Sequence, residues 1–169
     1  VPEEINRRII DHIADFNLAY TENSRRHLLS EGLHHRRIYL TGSPMNEVLR
    51  YYSDKIENSS ILNILSLESK NFFVVSMHRE ENVDNPQILR AIISILNQLA
   101  ARFDLPVIVT THPRSRKRIK AIKDLDLDKR ISFLKPFGFL DYVKLQKNAL
   151  CVISDSGTIS EESSILGFP

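Results

Sequence analysis

From residue 71 onward, short apolar runs alternate with amphipathic stretches, and this alternation constrains the fold more than any other feature. "NFFVVSM", "PVIVTT", "RISFLK" and "ALCVIS" are rich in Val, Ile and Phe and too short for helices. Each is followed by a helical pattern: "NPQILRAIISILNQLAARF", "RSRKRIKAIKDL", "FLDYVKLQKN" and "TISEESSIL". Continuous apolar strands separated by helices indicate βαβ units and a parallel sheet buried on both faces. Right-handed crossovers would place helices on both sides. In the long helix, Ile88, Ile92, Ile95 and Leu99 are expected near one face.

The first half follows the same theme less regularly. "PEEINRRIIDHIADF" places Ile5, Ile9, Ile13 and Phe16 on one helical face, with Pro2 at a first helical position. "NLAYT" and "RRIYLTG" read as strands, and "ENSRRHLLSEG" as a helix closed by Gly32. "SPMNEVLRYYSDKI" reads as a helix with Ser43 as cap and Pro44 first. Residues 56–70 read as a polar, irregular connection with one set of helical turns. A domain boundary is expected between Thr41 and Ser69.

At 169 residues the chain suits one globular domain, or one domain plus part of another. The net charge of +2, with both signs interspersed, lends no support to a nucleic-acid partner. A single cysteine, Cys151, cannot form an internal disulfide, so a reducing cytoplasm is expected. No apolar run approaches the ~18 residues of a membrane span. The chain opens without an initiator Met or signal peptide and stops after a helix, where another strand is expected. It therefore reads as an internal fragment of a larger protein.

In open parallel sheets, ligands bind beyond the carboxyl ends of the strands. Three strands run into chemistry there: His78-Arg79-Glu80-Glu81-Asn82, then His112-Pro113-Arg114, then Asp155-Ser156-Gly157. A histidine after a strand is ordinarily a loop or capping residue, but its recurrence at an equivalent end makes His78 a candidate. His112 serves equally well as a strand terminator ahead of Pro113. In the basic stretch "RSRKRIK", otherwise a solvated helix face, Arg114 and Arg116 lie nearest the strand end and best placed for an anion. No two histidines have the i, i+4 spacing of a helical metal site, so no metal is expected. Ser156 is not a hydrolase nucleophile: the elbow needs glycines two residues either side, where Ser154 and Thr158 stand.

"SDSGTISEES" has the form of an anion site. Backbone N–H groups at a helix start, backed by the helix dipole, attract phosphate, and Gly157 would let it approach the backbone. Thr158 and Glu161 fit a capping box, as cap and third residue. Glu162 lies about 100° further round the helix and could face the crevice. A carboxylate there would accept from vicinal hydroxyls, as an acid does for ribose in dinucleotide folds. Phosphate beside ribose means a nucleotide.

These stretches, with "PEEINR", "YTENSRRHLLSEG", "IYLTGSPMNEVL", "HREEN" and "THP" in that order, resemble the non-hydrolysing UDP-N-acetylglucosamine 2-epimerase family. That family includes the branch forming UDP-N-acetyl-L-fucosamine. The resemblance implies two Rossmann-like domains in the glycosyltransferase-B arrangement. Residues 1–43 would end the first domain, 44–70 would be the crossover, and 71–169 would form an incomplete nucleotide-binding second domain. It implies catalytic roles for Glu3, Arg7 and His78, with Glu3 and Arg7 spaced i, i+4 for an ion pair. It implies UDP-binding roles for Arg79, His112, Tyr142, Ser156, Gly157, Thr158 and Glu162. Many members carry a second glycine where this chain has Thr158, whose backbone must therefore avoid positive φ. The "HREENVDN" and "DSGTISEE" stretches are more similar to the L-fucosamine branch.

The implied reaction is inversion at C2 of a UDP-2-acetamido sugar, for bacterial surface polysaccharide synthesis. No metal or redox cofactor is implied, and the full-length protein is expected to be a homodimer. Two other readings stay open: a UDP-sugar glycosyltransferase of similar architecture, and a nucleotide-sugar-binding domain without catalysis.

Overall fold

Four apolar runs pair in parallel in a computed structural model that describes residues 2–77, 85–111, 119 and 126–169. The strands are β3 (Phe73–Ser76), β4 (Val107–Thr110), β5 (Ile131–Leu134) and β6 (Cys151–Ser154), in the order β5-β4-β3-β6. The chain divides into two compact units, residues 1–48 and 49–169, and this sheet belongs to the second. The expected parallel sheet with flanking helices is therefore present.

In the first unit, α1 (Pro2–Ile13) leads into β1 (Asn17–Ala19), α2 (Glu22–Ser30), a 3₁₀ turn (His35–Arg37) and β2 (Ile38–Leu40). β1 and β2 pair in parallel. Thr21 caps α2, its hydroxyl accepting from the Ser24 N–H at 3.1 Å. Gly32, at φ +90°, takes the left-handed turn that ends the same helix. Ala19, Leu28 and Ile38 form a small core. α1 carries Ile5, Ile9 and Ile13 on one face as predicted but ends at Ile13, so Phe16 lies beyond it, and all four are more than half exposed.

The second unit opens with three short helices: α3 (Met45–Tyr51), which spans the division, α4 (Ser53–Glu57) and α5 (Ile61–Ile64). α3 begins one residue later than Pro44, and the Ser43 hydroxyl accepts from the Met45 N–H at 3.2 Å. The connection over 56–70 is more ordered than its polarity suggested, because Ile56 and Ile61 are buried. Further helices among the described residues are α6 (Pro86–Phe103), α7 (Phe139–Asn148) and α8 (Thr158–Leu166).

Alternation along β3 supplies two cores. Phe73, Val75 and Met77 pack with Val107, Val109, Leu96 and Ala100 on one face of the sheet. Phe72 and Val74 pack with Ile108, Leu145, Ala149 and Ile61 on the other. The buried stripe of α6 is Leu89, Ile93, Leu96 and Ala100, about one residue out of phase with the predicted one. Ile95 is 60% exposed, while Ile92 and Leu99 flank the core. Because α6 is apolar on more than one side, periodicity alone chose the wrong seam.

Ion pairs tie α4 to α7. Lys144 donates to Glu57 at 2.6 Å, and Lys147 reaches the other carboxylate oxygen. Ser59 adds a 2.5 Å hydrogen bond to Asp141. The lysines hold Glu57 at about 2, below its ordinary 4.5. A carboxylate depressed on folding stabilises the fold above its unfolded value, and that contribution disappears as pH falls through the folded one. Glu57 is half exposed, so screening keeps the contribution small. Glu57→Gln is expected to flatten the fall in melting temperature between pH 4.5 and about 2. An unchanged acid limb in the variant would rule this clamp out as a source of pH sensitivity.

Candidate functional site

The strands of the second unit end level. Ser76 stands opposite both Thr110 and Ser154, and Thr110 opposite Leu134. The residues after β3, β4 and β6 therefore leave one edge of the sheet, with β3 in the middle. Met77 and Thr111 are the last described residues after β3 and β4. His78, Arg79, His112, Arg114 and Arg116 lie outside the described residues.

The turn after β6 is fully described. The Asp155 N–H donates to the Ser76 carbonyl at 3.3 Å, which ties the turn to β3. The Ser154 hydroxyl accepts from the Ser156 N–H at 3.1 Å, tightening the bend. Gly157 is the N-cap of α8 at φ −68°, ψ −25°, and no side chain caps the helix start. Its first N–H groups consequently lack side-chain acceptors, and the dipole of a nine-residue helix lies behind them.

The expected capping box does not form. Thr158 is the first helical residue rather than the cap, so Glu161 is the fourth rather than the third. The Thr158 hydroxyl is instead 3.0 Å from that of Ser156, leaving the cap position to Gly157. As expected, Thr158 avoids positive φ.

Glu162 is half buried beside α7. One of its oxygens accepts a 2.6 Å hydrogen bond from the Gln146 side-chain amide. Gln146 is fully buried, and its own carbonyl oxygen has no partner among the described residues. Tyr142 lies one turn earlier on α7. Burial pushes its hydroxyl up from the ordinary value, and the negative charges of Glu162 and Asp155 push the same way. Hydrogen bonding to Ser76 and Gln146 opposes them. The structure thus gathers Tyr142, Gly157, Thr158, Glu162 and Ser156 at one corner of the sheet edge.

Gln146 was not singled out from the sequence. The available signal was a polar residue in the buried phase of α7, beside Val143 and Leu145.

In the first unit the expected Glu3–Arg7 pair is absent. Arg7 donates to Glu4 at 2.8 and 2.9 Å, to Asp11, and to Glu31, the C-cap of α2, at 2.6 Å. These carboxylates occupy the whole fork of the guanidinium, leaving Glu3 exposed and outside the cluster. Arg7, then Arg8, hold Glu4 at about 2, and Arg7 depresses Glu31. Arg7 itself is raised by Glu4 first and then Glu31. The cluster lines an open cleft of about 630 Å³ bounded by α1, β1 and α2, with Tyr20 and His27 at its wall.

Among the described residues, no group of His, Cys, Asp and Glu is arranged to hold a metal. None of the described helices is long and apolar enough to cross a membrane.

Known proteins share both the sequence and this fold. A curated UDP-N-acetylglucosamine 2-epimerase of Methanocaldococcus jannaschii is 33% identical over the whole chain, which spans 48% of that relative. The solved UDP-N-acetylglucosamine 2-epimerase of Rickettsia bellii superposes with a TM-score of 0.87 at 44% identity. That match covers all of this chain and 44% of the other. The M. jannaschii enzyme, crystallised with UDP-GlcNAc and UDP, gives 0.86 at 32% identity, covering 99% of this chain and 48% of that one. The chain therefore spans about half the length of these relatives. The family model for UDP-N-acetylglucosamine 2-epimerase matches residues 1–169, and the chain belongs to that family.

Proposed function

We propose that the protein containing this chain inverts C2 of a UDP-2-acetamido sugar, and that the corner around Gly157 and Glu162 holds the UDP. The observation that carries this reading is the uncapped start of α8 beside a half-buried carboxylate. Backbone donors suit a diphosphate and a carboxylate suits a ribose diol. Residues 71–169 would then be the nucleotide-binding domain of a glycosyltransferase-B type enzyme. Residues 1–43 would close the first domain, and 44–70 would cross between the two. A homodimer serving bacterial surface polysaccharide synthesis completes the reading.

The C2 proton is not acidic, so direct abstraction and return is chemically poor. Elimination is the better route. The C1–O bond to UDP breaks as the C2 proton leaves, giving a glycal and free UDP. Protonation of C2 from the opposite face and re-addition of UDP at C1 then yield the epimer. The enzyme must stabilise the departing diphosphate and supply acid and base groups. The first turn of α8, with His78, Arg79 and His112, would serve the diphosphate. Exposed Glu3 is the proton-transfer candidate of the first unit, and Arg7 is a separate catalytic candidate that is not paired with it. In this structure Arg7 is oriented by Glu4, Asp11 and Glu31.

Solvent isotope exchange tests the proposal. Full-length protein incubated in D₂O with UDP-GlcNAc, and separately with the L-talosamine-type UDP sugar, is expected to place deuterium at C2 of at least one. NMR of the recovered nucleotide sugar reads the position directly. A glycosyltransferase would transfer the sugar to an acceptor, release UDP and leave the original hydrogen at C2. Absence of C2 deuterium in every UDP-N-acetylhexosamine tried would sink the epimerase reading.

A further inference from the structure

We propose that Gln146 is a positioning residue for nucleotide recognition, holding Glu162 so that its second oxygen is presented to the ribose hydroxyls. The proposal rests on the reading of Glu162 as the ribose-binding acid. Gln146 is fully buried on α7, and its amide N–H₂ donates to Glu162 at 2.6 Å. That bond fixes the amide's orientation, since flipping it would set an oxygen against the carboxylate. It also leaves the Gln146 carbonyl oxygen buried and unpartnered among the described residues. An orphaned buried acceptor costs stability that an apolar side chain of the same length would not. An apolar residue would fill this place without the orphaned acceptor, and what glutamine adds is its charge-assisted bond to Glu162 and its hydrogen bond to Tyr142.

The contact does two things. It keeps one carboxylate oxygen occupied, so the carboxylate cannot rotate freely. It also ties α8, which carries Glu162, to α7, which carries Tyr142. A carboxylate fixed in this way can accept from both the 2′ and 3′ hydroxyls of a ribose. A freely rotating one would make those bonds less often and discriminate less against a nucleotide lacking one hydroxyl. Among the described residues, Glu162 and Tyr142 are the ionisable groups bonded to the Gln146 side chain, and the charge of Asp155 acts on Tyr142.

Calorimetric titration of full-length protein with UDP and with 2′-deoxy-UDP tests this. The wild type is expected to prefer UDP by roughly tenfold, the scale of one hydrogen bond to a charged group. Gln146→Met keeps length and volume while removing the amide. Its melting temperature is expected to be unchanged or higher, UDP should bind roughly tenfold more weakly, and the preference should shrink severalfold. A purely structural glutamine would instead lower the melting temperature and weaken both nucleotides equally. Gln146→Glu is the second arm. When protonated, the introduced carboxyl can donate to Glu162 as the amide does. When ionised, it repels Glu162, and repulsion with burial raises the pKa of the pair. UDP affinity relative to wild type is therefore expected to rise as pH falls from about 8 to about 6. A Gln146→Met protein with undiminished preference, or a Gln146→Glu protein whose relative affinity ignores pH, overturns the proposal. Wild-type protein that fails to bind UDP overturns the nucleotide site itself, and the proposal with it.

Discussion

Replacing Gly157 with valine is expected to lower turnover at least roughly a hundredfold, the scale of losing backbone donors to a leaving group. The fold should barely register the change. Gly157 sits at φ −68°, ψ −25°, a conformation open to any residue. A Cβ built there meets no heavy atom within 4 Å. Valine also lacks the strain that a left-handed turn such as Gly32 would impose. The internal cost is confined to the poorer N-cap, about 1 kcal/mol or less. A diphosphate bound to the first N–H groups of α8 must come within about 3 Å of the backbone, into the space a branched side chain would fill. The signature is thus an enzyme with near-native thermal unfolding and failed UDP binding. A Gly157→Val protein that retains ordinary activity would remove the diphosphate from this turn.

The largest effect on stability is expected from Phe72→Ala. Phe72 is fully buried, and its neighbours in the core are Ile61, Val74, Ile108, Leu145 and Ala149. These come from α5, β3, β4 and α7 or its end, so one ring fills a space that four segments share. Its carbonyl also accepts from the Leu150 N–H at 2.8 Å, just ahead of β6. Truncation to alanine leaves a cavity that rigid strands cannot collapse around, at a cost of about 3–5 kcal/mol. Domains of this kind are held by only about 5–15 kcal/mol, so the loss is a large share of the total. Chemical denaturation of the full-length protein provides the measurement. Tyr142 and Val152 pack against the same cluster, so nucleotide affinity should fall with stability. A loss below about 1 kcal/mol would contradict the central place given to this ring.

Much of this architecture was legible in the sequence because a parallel sheet buries both faces of its strands. β3 and β4 are buried throughout, and each is apolar up to its last residue, Ser76 or Thr110. The clustering of chemistry at one sheet edge followed from the same alternation, since parallel strands must end together. The details that failed share a physical origin. Helical periodicity cannot rank the sides of α6 when Ile92, Ile95 and Leu99 are apolar beside Leu89, Ile93 and Leu96. The capping box of Thr158 and Glu161 was a local expectation, displaced when Thr158 paired with Ser156. Arg7 had several acids within helical reach, and Glu31, distant in sequence, helped decide among them. Gln146 was invisible for a related reason: its partner lies on another helix, which only the fold brings near.

The division of β3 between two cores also sets where the chain can change length. Phe73, Val75 and Met77 serve one side of the sheet, Phe72 and Val74 the other. Losing a single residue within this strand would exchange the two sets and misfit both cores at once. A residue added to a surface crossover costs far less, since doubling a flexible loop adds only about 0.6 kcal/mol. Insertions and deletions are thus excluded from the middle of the sheet and admitted at its connections. The same holds for β4, whose Val107 and Val109 serve the first core and Ile108 the second, so these two strands tolerate a change of length least among the described ones.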